Sequence, residues 1–438
     1  MAAFSQQASQ LQPARGLPWL AELNRRGLAR WKVTPFPTRK TEHWKYTSLQ
    51  ALEQGAYLRW PRAGQLAELP ESAFIEGLEA CSLVFVNGVF CAERSSGEWP
   101  EGVECLRFSE ANEEQQAAIV ARLGGIADSE KHLFAALNEA WLEEGVYIRV
   151  AADTVLRQPL TIHHLSTAQD GSFSINQRLL VHLERGAQAT VIEHFSSSDE
   201  VQNSFSNAVT ELQLDDNARL THYHLHLEEG HALHIGGVHA NLERDATLNT
   251  FMVSLGSSLQ RSDLVVNHRG EGSHCGVNGI YLPHNRHLVD YHTCIEHRAA
   301  NCSSHQVFRG IVADHGKAVF NGRIHIHPHA QKTVADLSNK NLLTSIDAEV
   351  DTKPELEIYA DDVKCSHGAT VAQLDDKILY YLQSRGIARE RAEVMLSFGF
   401  INELLEQVPH SALRDYLTPR VAALFASKFE GQPAGSID

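Results

Sequence analysis

Apolar residues recur at helical spacing near the start of the chain, where Leu20, Leu23, Leu28 and Trp31 predict a helix within residues 16–31. Pro35 and Pro37 then break the chain into a loop. The short run Leu83-Val84-Phe85-Val86 ahead of Asn87-Gly88 reads as a strand entering a turn. Phe134, Leu137 and Trp141, three and four residues apart, place another helix over residues 133–142. This mixed, locally helical stretch, residues 1–145, is expected to form a cap or accessory region.

From Val146 to Leu343 the pattern changes: short segments rich in Val, Ile, Leu, Thr and His alternate with Gly, Asn and Asp turns. Six segments, centred on Ala187, Ala218, Ala246, Cys275, Cys302 and Ala330, place a small residue after a polar residue or glycine, at intervals of 31, 28, 29, 27 and 28. Such spacing suggests solenoid coils, with small residues inward at tight corners and strands stacked in parallel. An antiparallel sandwich or barrel with recurrent hairpins is the alternative, and the spacing alone does not separate the two. Residues 146–370 are assigned to this β core.

Helical periodicity returns after Thr370. Asp375 or Asp376 caps a helix carrying Ile378, Tyr381 and Leu382 and stopped by Gly386; a second spans residues 388–408 before Pro409; Ser411 caps a third with Leu413, Tyr416, Leu417 and Leu424. Residues 371–438 are thus expected to be a C-terminal helical domain that covers an open solenoid edge or docks a partner.

Composition narrows the functional classes. Lys plus Arg number 38 against 54 Asp plus Glu, a net −16, and no basic cluster is present, which argues against nucleic acid as a partner. Residues 1–20 lack the apolar segment of an export signal, and nowhere do about 18 uncharged apolar residues run together, so a cytoplasmic protein with no membrane association is expected. Seven dispersed cysteines, Cys81, Cys91, Cys105, Cys275, Cys294, Cys302 and Cys365, include no C-x-x-C pair and suit a reducing compartment.

Four motifs invite chemistry. Gly310 to Ala318 imitates a phosphate loop but has one residue too many between its glycines and Ala318 where Ser or Thr is required, so a β-turn before Val319-Phe320 is expected. The trios His222, His224, His226 and His325, His327, His329 each put imidazoles on one strand face, but nothing at fixed spacing supplies a carboxylate, and a hydrated outer face is the expected setting for both. No G-x-S-x-G elbow marks a hydrolase. Cys365 and His367 share one face of an extended segment and pair a soft thiolate with an imidazole; two ligands are too few for a cluster, so the pair either contributes to a site completed by another chain or is a buried Cys beside a hydrogen-bonded His, and the sequence alone does not separate the two.

Longer motifs run through the last third of the chain: Phe308-Arg309-Gly310, Phe320-Asn321-Gly322, Ala330-Gln331-Lys332-Thr333, Asn341-Leu342-Leu343, Asp351-Thr352-Lys353-Pro354, Leu356 to Thr370, Tyr380-Tyr381-Leu382, Ser384 to Ile387 and Phe398-Gly399-Phe400. This stretch, 308–402, resembles the SufB/SufD family of iron–sulfur cluster assembly proteins, and Glu42, Trp44, Lys45 and Tyr46 resemble its N-terminal E-x-W-K-Y segment. Cys365-Ser366-His367-Gly368-Ala369-Thr370, standing where SufB-like chains have E-H-E-A-T, and the absence of an N-terminal cysteine cluster make the likeness SufD-like. Residues 151–301 match only loosely.

The resemblance implies a right-handed parallel β-helix between an N-terminal helical region and a C-terminal helical domain. It implies a non-catalytic scaffold that pairs with SufB through the β-helices and binds the ATPase SufC through C-terminal helices including Tyr381, Arg385, Phe398 and Phe400. His367 would then help hold the nascent cluster, as metal ligand shared with the partner chain, with Cys365 a weaker contributor. The isolated chain is expected to hold no tightly bound cofactor, the cluster being transient in the complex, and FAD binding there is left open. A homodimer acting without SufB, and a stand-alone β-helix or cupin-like metalloenzyme using a His trio, are the competing readings.

Overall fold

The structure is a computed structural model that describes residues 4–10, 16–55, 57, 74–169, 171–198, 203–228 and 230–426. Part of the expected C-terminal domain, residues 427–438, lies outside the described residues, as do residues 1–3, 11–15 and 58–73 of the N-terminal region.

From Val146–Val150 to Lys364–Gln373, successive strands alternate between two sheets, and each pairs in parallel with the strand two before or two after it. The result is a β-solenoid of about seven turns, which decides against an antiparallel sandwich. Both faces are buried in covered strands such as Phe173–Leu183 and Ser204–Leu214, whereas strands such as Leu259–His268 and Val334–Leu343 alternate buried and partly exposed positions. In-register stacking builds columns down the interior: Ala189, Leu220, Leu248, Cys275, Ser304, Ala335 and Cys365 form one, and Val191, His222, Thr250, Val277, Gln306, Leu337 and His367 the next.

The coil repeat has a backbone cause. At one corner of each coil a residue with φ between 57° and 73° turns the chain, and a buried small residue follows: Gly186-Ala187, Asn217-Ala218, Asp245-Ala246, Gly272-Ser273, Asn301-Cys302 and Lys332-Thr333. Four of the six sequence-derived corners coincide with these. The segments centred on Cys275 and Ala330 are displaced by two and three residues, because both residues are small and buried beside the true corner. The strands also continue past Leu343, through Glu349–Ile358 and Lys364–Gln373. These two read as polar because they close the stack, each lying at the edge of its sheet with no further coil over it. The penultimate strand contains Pro354, which lacks an N–H, and the charged Lys353, Glu355 and Glu357.

The outer face of the nine-stranded sheet is covered by the N-terminal region. Helices Ala21–Val33 and Leu133–Ala140 form as the apolar spacing predicts, and Trp31, Phe134 and Trp141 pack with Phe4 against Phe205, Leu233 and Ile235 of the solenoid. Strand Cys81–Val86 turns at Asn87-Gly88, both with positive φ, and pairs in parallel with Leu160–Ser166, so the region also contributes to the sheets. Trp44 and its neighbours act as a clasp: Arg261 lies 3.8 Å over the Trp44 ring, donates to the His43 carbonyl at 2.6 Å and to Asp290 at 2.8 Å, while Thr47 donates to the same carboxylate.

The outer face of the ten-stranded sheet is covered by the C-terminal helices Asp376–Ser384, Arg389–Leu405 and Ser411–Ala426. Asp375 caps the first of them, accepting from the Lys377 N–H at 2.8 Å, and Gly386 ends the turn after it with φ 82°. Ile401, Leu404, Leu405, Leu417 and Val421 pack on Tyr223, Leu225, Phe251 and Val253. The phosphate-loop imitation is a turn between strands Ser303–Val312 and Lys317–Ile326, with Asp314 at φ 55°.

Candidate functional site

The last coil is where the structure leaves chemistry uncovered. In strand Lys364–Gln373, Cys365 pairs with Ala335 and His367 with Leu337, so both side chains continue the inward columns at the end of the stack. Cys365 is half-buried against the core, and His367 is exposed and makes no side-chain hydrogen bond among the described residues. Burial pushes the Cys365 thiol up, with a backbone hydrogen bond at Ala335 only partly opposing it, so the lone chain holds it protonated near neutral pH. The pairing of these two residues on one face, read from the sequence, is what the strand geometry produces.

The expected partner-binding residues divide. Tyr381 is 55% exposed, with the Arg385 guanidinium 5.2 Å over its ring, and Ile378 and Tyr380 extend the same exposed patch. Phe398 and Phe400 are half-buried against the helix–sheet core, and Arg309 donates to the Phe400 carbonyl while lying 5.3 Å over its ring. Phe398 and Phe400 thus help seat helix Arg389–Leu405 on the solenoid.

The first histidine trio does not occupy the hydrated face expected of it. His222, His224 and His226 point into the solenoid and are all but fully buried, because their strand puts Tyr223, Leu225 and Leu227 outward under the C-terminal helices. Their carboxylate comes from the preceding coil: Glu193 accepts from His222 Nε2 at 2.8 Å and Thr210 Oγ1 at 2.7 Å, with His224 Nε2 3.9 Å away. Burial raises the Glu193 carboxyl, but the His222 hydrogen bond and the two imidazoles outweigh it and hold the group at about 2. On the next strand, His234 Nδ1 meets Glu228 at 2.6 Å. Sealed inside the stack, this trio offers no access to a substrate.

The second trio splits: His325 and His327 stand half-buried on the outer face of the nine-stranded sheet, whereas His329 is exposed in the following turn. Glu296 on the adjacent strand, in register with His325, brings its Oε2 to 2.7 Å from His327 Nε2 and 3.0 Å from His325 Nδ1. Sequence reasoning missed Glu296 because it lies 29 residues upstream, one coil away, and only the coil length connects the two positions. Burial raises the Glu296 carboxyl, and the His327 hydrogen bond and His325 more than offset it, leaving it at about 2.

Comparison with known proteins agrees with this architecture. Residues 164–400 match the family model for the SUF system FeS cluster assembly SufBD core domain, and residues 2–162 that for the SufBD protein N-terminal region. The chain belongs to the SufBD family. It is 34% identical over 391 residues to iron–sulfur cluster assembly protein SufD of Escherichia coli, covering 89% of each chain. It is 29% identical over 389 residues to an iron–sulfur cluster assembly SufBD family protein of Synechocystis (87% and 86%), and 28% over 399 residues to protein ABCI7, chloroplastic, of Arabidopsis thaliana (89% and 83%). Membership in the SufBD family supports a role in iron–sulfur cluster assembly, and relatives of this SufBD chain are named as assembly proteins. Among the described residues no helix is long and apolar enough to cross a membrane.

Proposed function

We propose that this chain is a non-catalytic scaffold of iron–sulfur cluster assembly that pairs with a SufB-type paralogue at its uncovered last coil and contributes His367, assisted by Cys365, to a nascent cluster held between the two chains. The observation that carries this is the end of the stack: two potential ligands terminate inward columns with no coil over them, and the flanking edge strands have main-chain groups free for pairing. Two ligands from one chain cannot hold a cluster alone, so the partner completes the set and the cluster is cargo rather than a resident cofactor. His367→Ala is expected to leave the complex intact by size and composition while reconstituted iron and sulfide fall to background; normal cluster yield removes the role. Mass measurement of the chain alone and with a SufB-type partner separates this pairing from a homodimer on the same edge.

A SufC-type ATPase is assigned to the exposed patch of the first C-terminal helix. Truncation from Asp375 would uncover the apolar face beneath the helices and confuse binding with folding. Tyr381→Ala combined with Arg385→Ala leaves that face covered. If these two are binding anchors, affinity for the ATPase falls by about 2 kcal/mol or more, roughly thirtyfold, measured by calorimetry; unchanged affinity moves the docking surface elsewhere.

A further inference from the structure

The Glu296, His325 and His327 cluster lies on the opposite sheet from the uncovered Cys365 and His367, and the proposed function makes no use of it. One potential ligand atom from each residue lies within 4.8 Å of the others. The imidazoles are neighbours, their ring centroids 4.2 Å apart, and both direct a nitrogen at the same carboxylate oxygen. Only His327 makes a hydrogen bond to it; His325 Nδ1, though 3.0 Å away, is buried without an aligned hydrogen-bond partner. A buried imidazole nitrogen left in that state is costly unless something else takes up its lone pair.

The carboxylate is divided in a way that suits metal ligation. Cys294 Sγ donates to Oε1 at 3.5 Å, while Oε2 faces the imidazoles and carries the Arg298 guanidinium 3.5 Å away, a contact that a bound metal would displace. Cys294, whose Sγ is hydrogen-bonded to Oε1 and whose side chain is not one of the three that converge, supports the carboxylate rather than joining the ligand set. Ligands on a divalent first-row metal at about 2.1 Å stand roughly 3.0 Å apart when octahedral neighbours and 3.4 Å apart when tetrahedral. The observed 2.7 and 3.0 Å are therefore within about 0.3 Å of octahedral neighbours and need to open by about 0.4 to 0.7 Å for tetrahedral ones.

Access is present as well. The three side chains line one wall of a groove of about 1180 Å³ between the outer face of the nine-stranded sheet and the segment 124–135. Positions that the protein leaves open on a metal there face space that water or a small anion fills, and Arg298 and Arg323 line the same groove.

We propose that Glu296, His325 and His327 form a two-histidine, one-carboxylate site for a divalent first-row transition metal ion. It is built on one chain, is independent of partner subunits, and is separate from the cluster-assembly residues.

The full-length protein, stripped with chelator, is titrated with Co²⁺ and followed by visible absorption and calorimetry, then with Zn²⁺ in competition. One equivalent of Co²⁺ is expected, with d–d bands and no thiolate charge-transfer band, and a raised thermal midpoint in excess metal. Glu296→Gln, which keeps the side-chain volume, and the double variant His325→Ala/His327→Ala should each weaken binding at least about a hundredfold. Cys294→Ser should retain one equivalent and the same band positions. Far-UV circular dichroism establishes that each variant is folded; if the double variant fails this check, Glu296→Gln decides alone. Absence of saturable uptake by the wild type, uptake unchanged in Glu296→Gln, or a thiolate band lost in Cys294→Ser would each overturn the assignment.

Discussion

Acidification from pH 7 to pH 5 is expected to unfold this protein outright. Burial drives the imidazoles of His163 and His224 down to about 3 and those of His164 and His297 to about 4, while His194, His226, His239 and His268 lie well below the usual value for the same first reason. In the unfolded chain each titrates near pH 6.5. Between about 6.5 and 4 the unfolded state therefore binds more protons, and stability falls with falling pH. Each such group withdraws about 2 kcal/mol by pH 5. Several together exceed the roughly 5–15 kcal/mol that holds a typical domain folded.

Other groups act in the same direction lower down. Glu193 and Glu296, both held at about 2, favour the fold above the unfolded glutamate value, and that support disappears only as pH drops from about 4.3 toward 2. Urea midpoints measured from pH 8 to pH 5 should decline steeply below 6.5; a flat profile would mean that these histidines are solvated or charged in the native state.

Removal of one carboxylate should be nearly as damaging. Glu211 is fully buried where the N-terminal region meets the solenoid, and it accepts from the backbone N–H groups of Gly124 at 2.8 Å, Ile126 at 2.9 Å and Ala127 at 3.0 Å, and from the guanidinium of Arg178. Arg178 is equally buried and also donates to Asn138 at 3.0 Å. Glu211→Ala leaves a buried cation without a counter-charge and three amide donors without an acceptor in a dry setting, at a cost of about 3–5 kcal/mol. The double change Arg178→Met/Glu211→Leu removes the stranded charge and should recover much of that loss. Chemical denaturation of the three variants measures both figures, and a single-variant loss below about 1 kcal/mol would show that water reaches the pair.

The legible part of the fold was the part written in local chemistry. Asn217-Ala218 and Asp245-Ala246 announce corners because left-handed backbone selects Asn, Asp or Gly and the tight interior selects a small residue. The corner at Lys332-Thr333 carries neither signal clearly, and the register slipped to Ala330 there. Cys365 and His367 were visible because neighbours in one strand need no long-range information. Glu193, Glu211 and Glu296 were not: each acquires its role from a side chain or backbone group that only coil stacking or the N-terminal cover brings near. The sealed setting of His222, His224 and His226 was hidden for the same reason, since alternation in one strand says which residues share a face but not which face is inside.

The coil that ends the stack has a further consequence for how copies of the chain behave toward each other. Pro354 interrupts the main-chain donors of one terminal strand, and Lys353, Glu355, Glu357 and Lys364 stud the two ledges with charge. Two copies meeting ledge to ledge would confront like patterns and a missing donor, so self-pairing through this edge is discouraged. Crowded solutions of the protein alone should therefore remain dispersed.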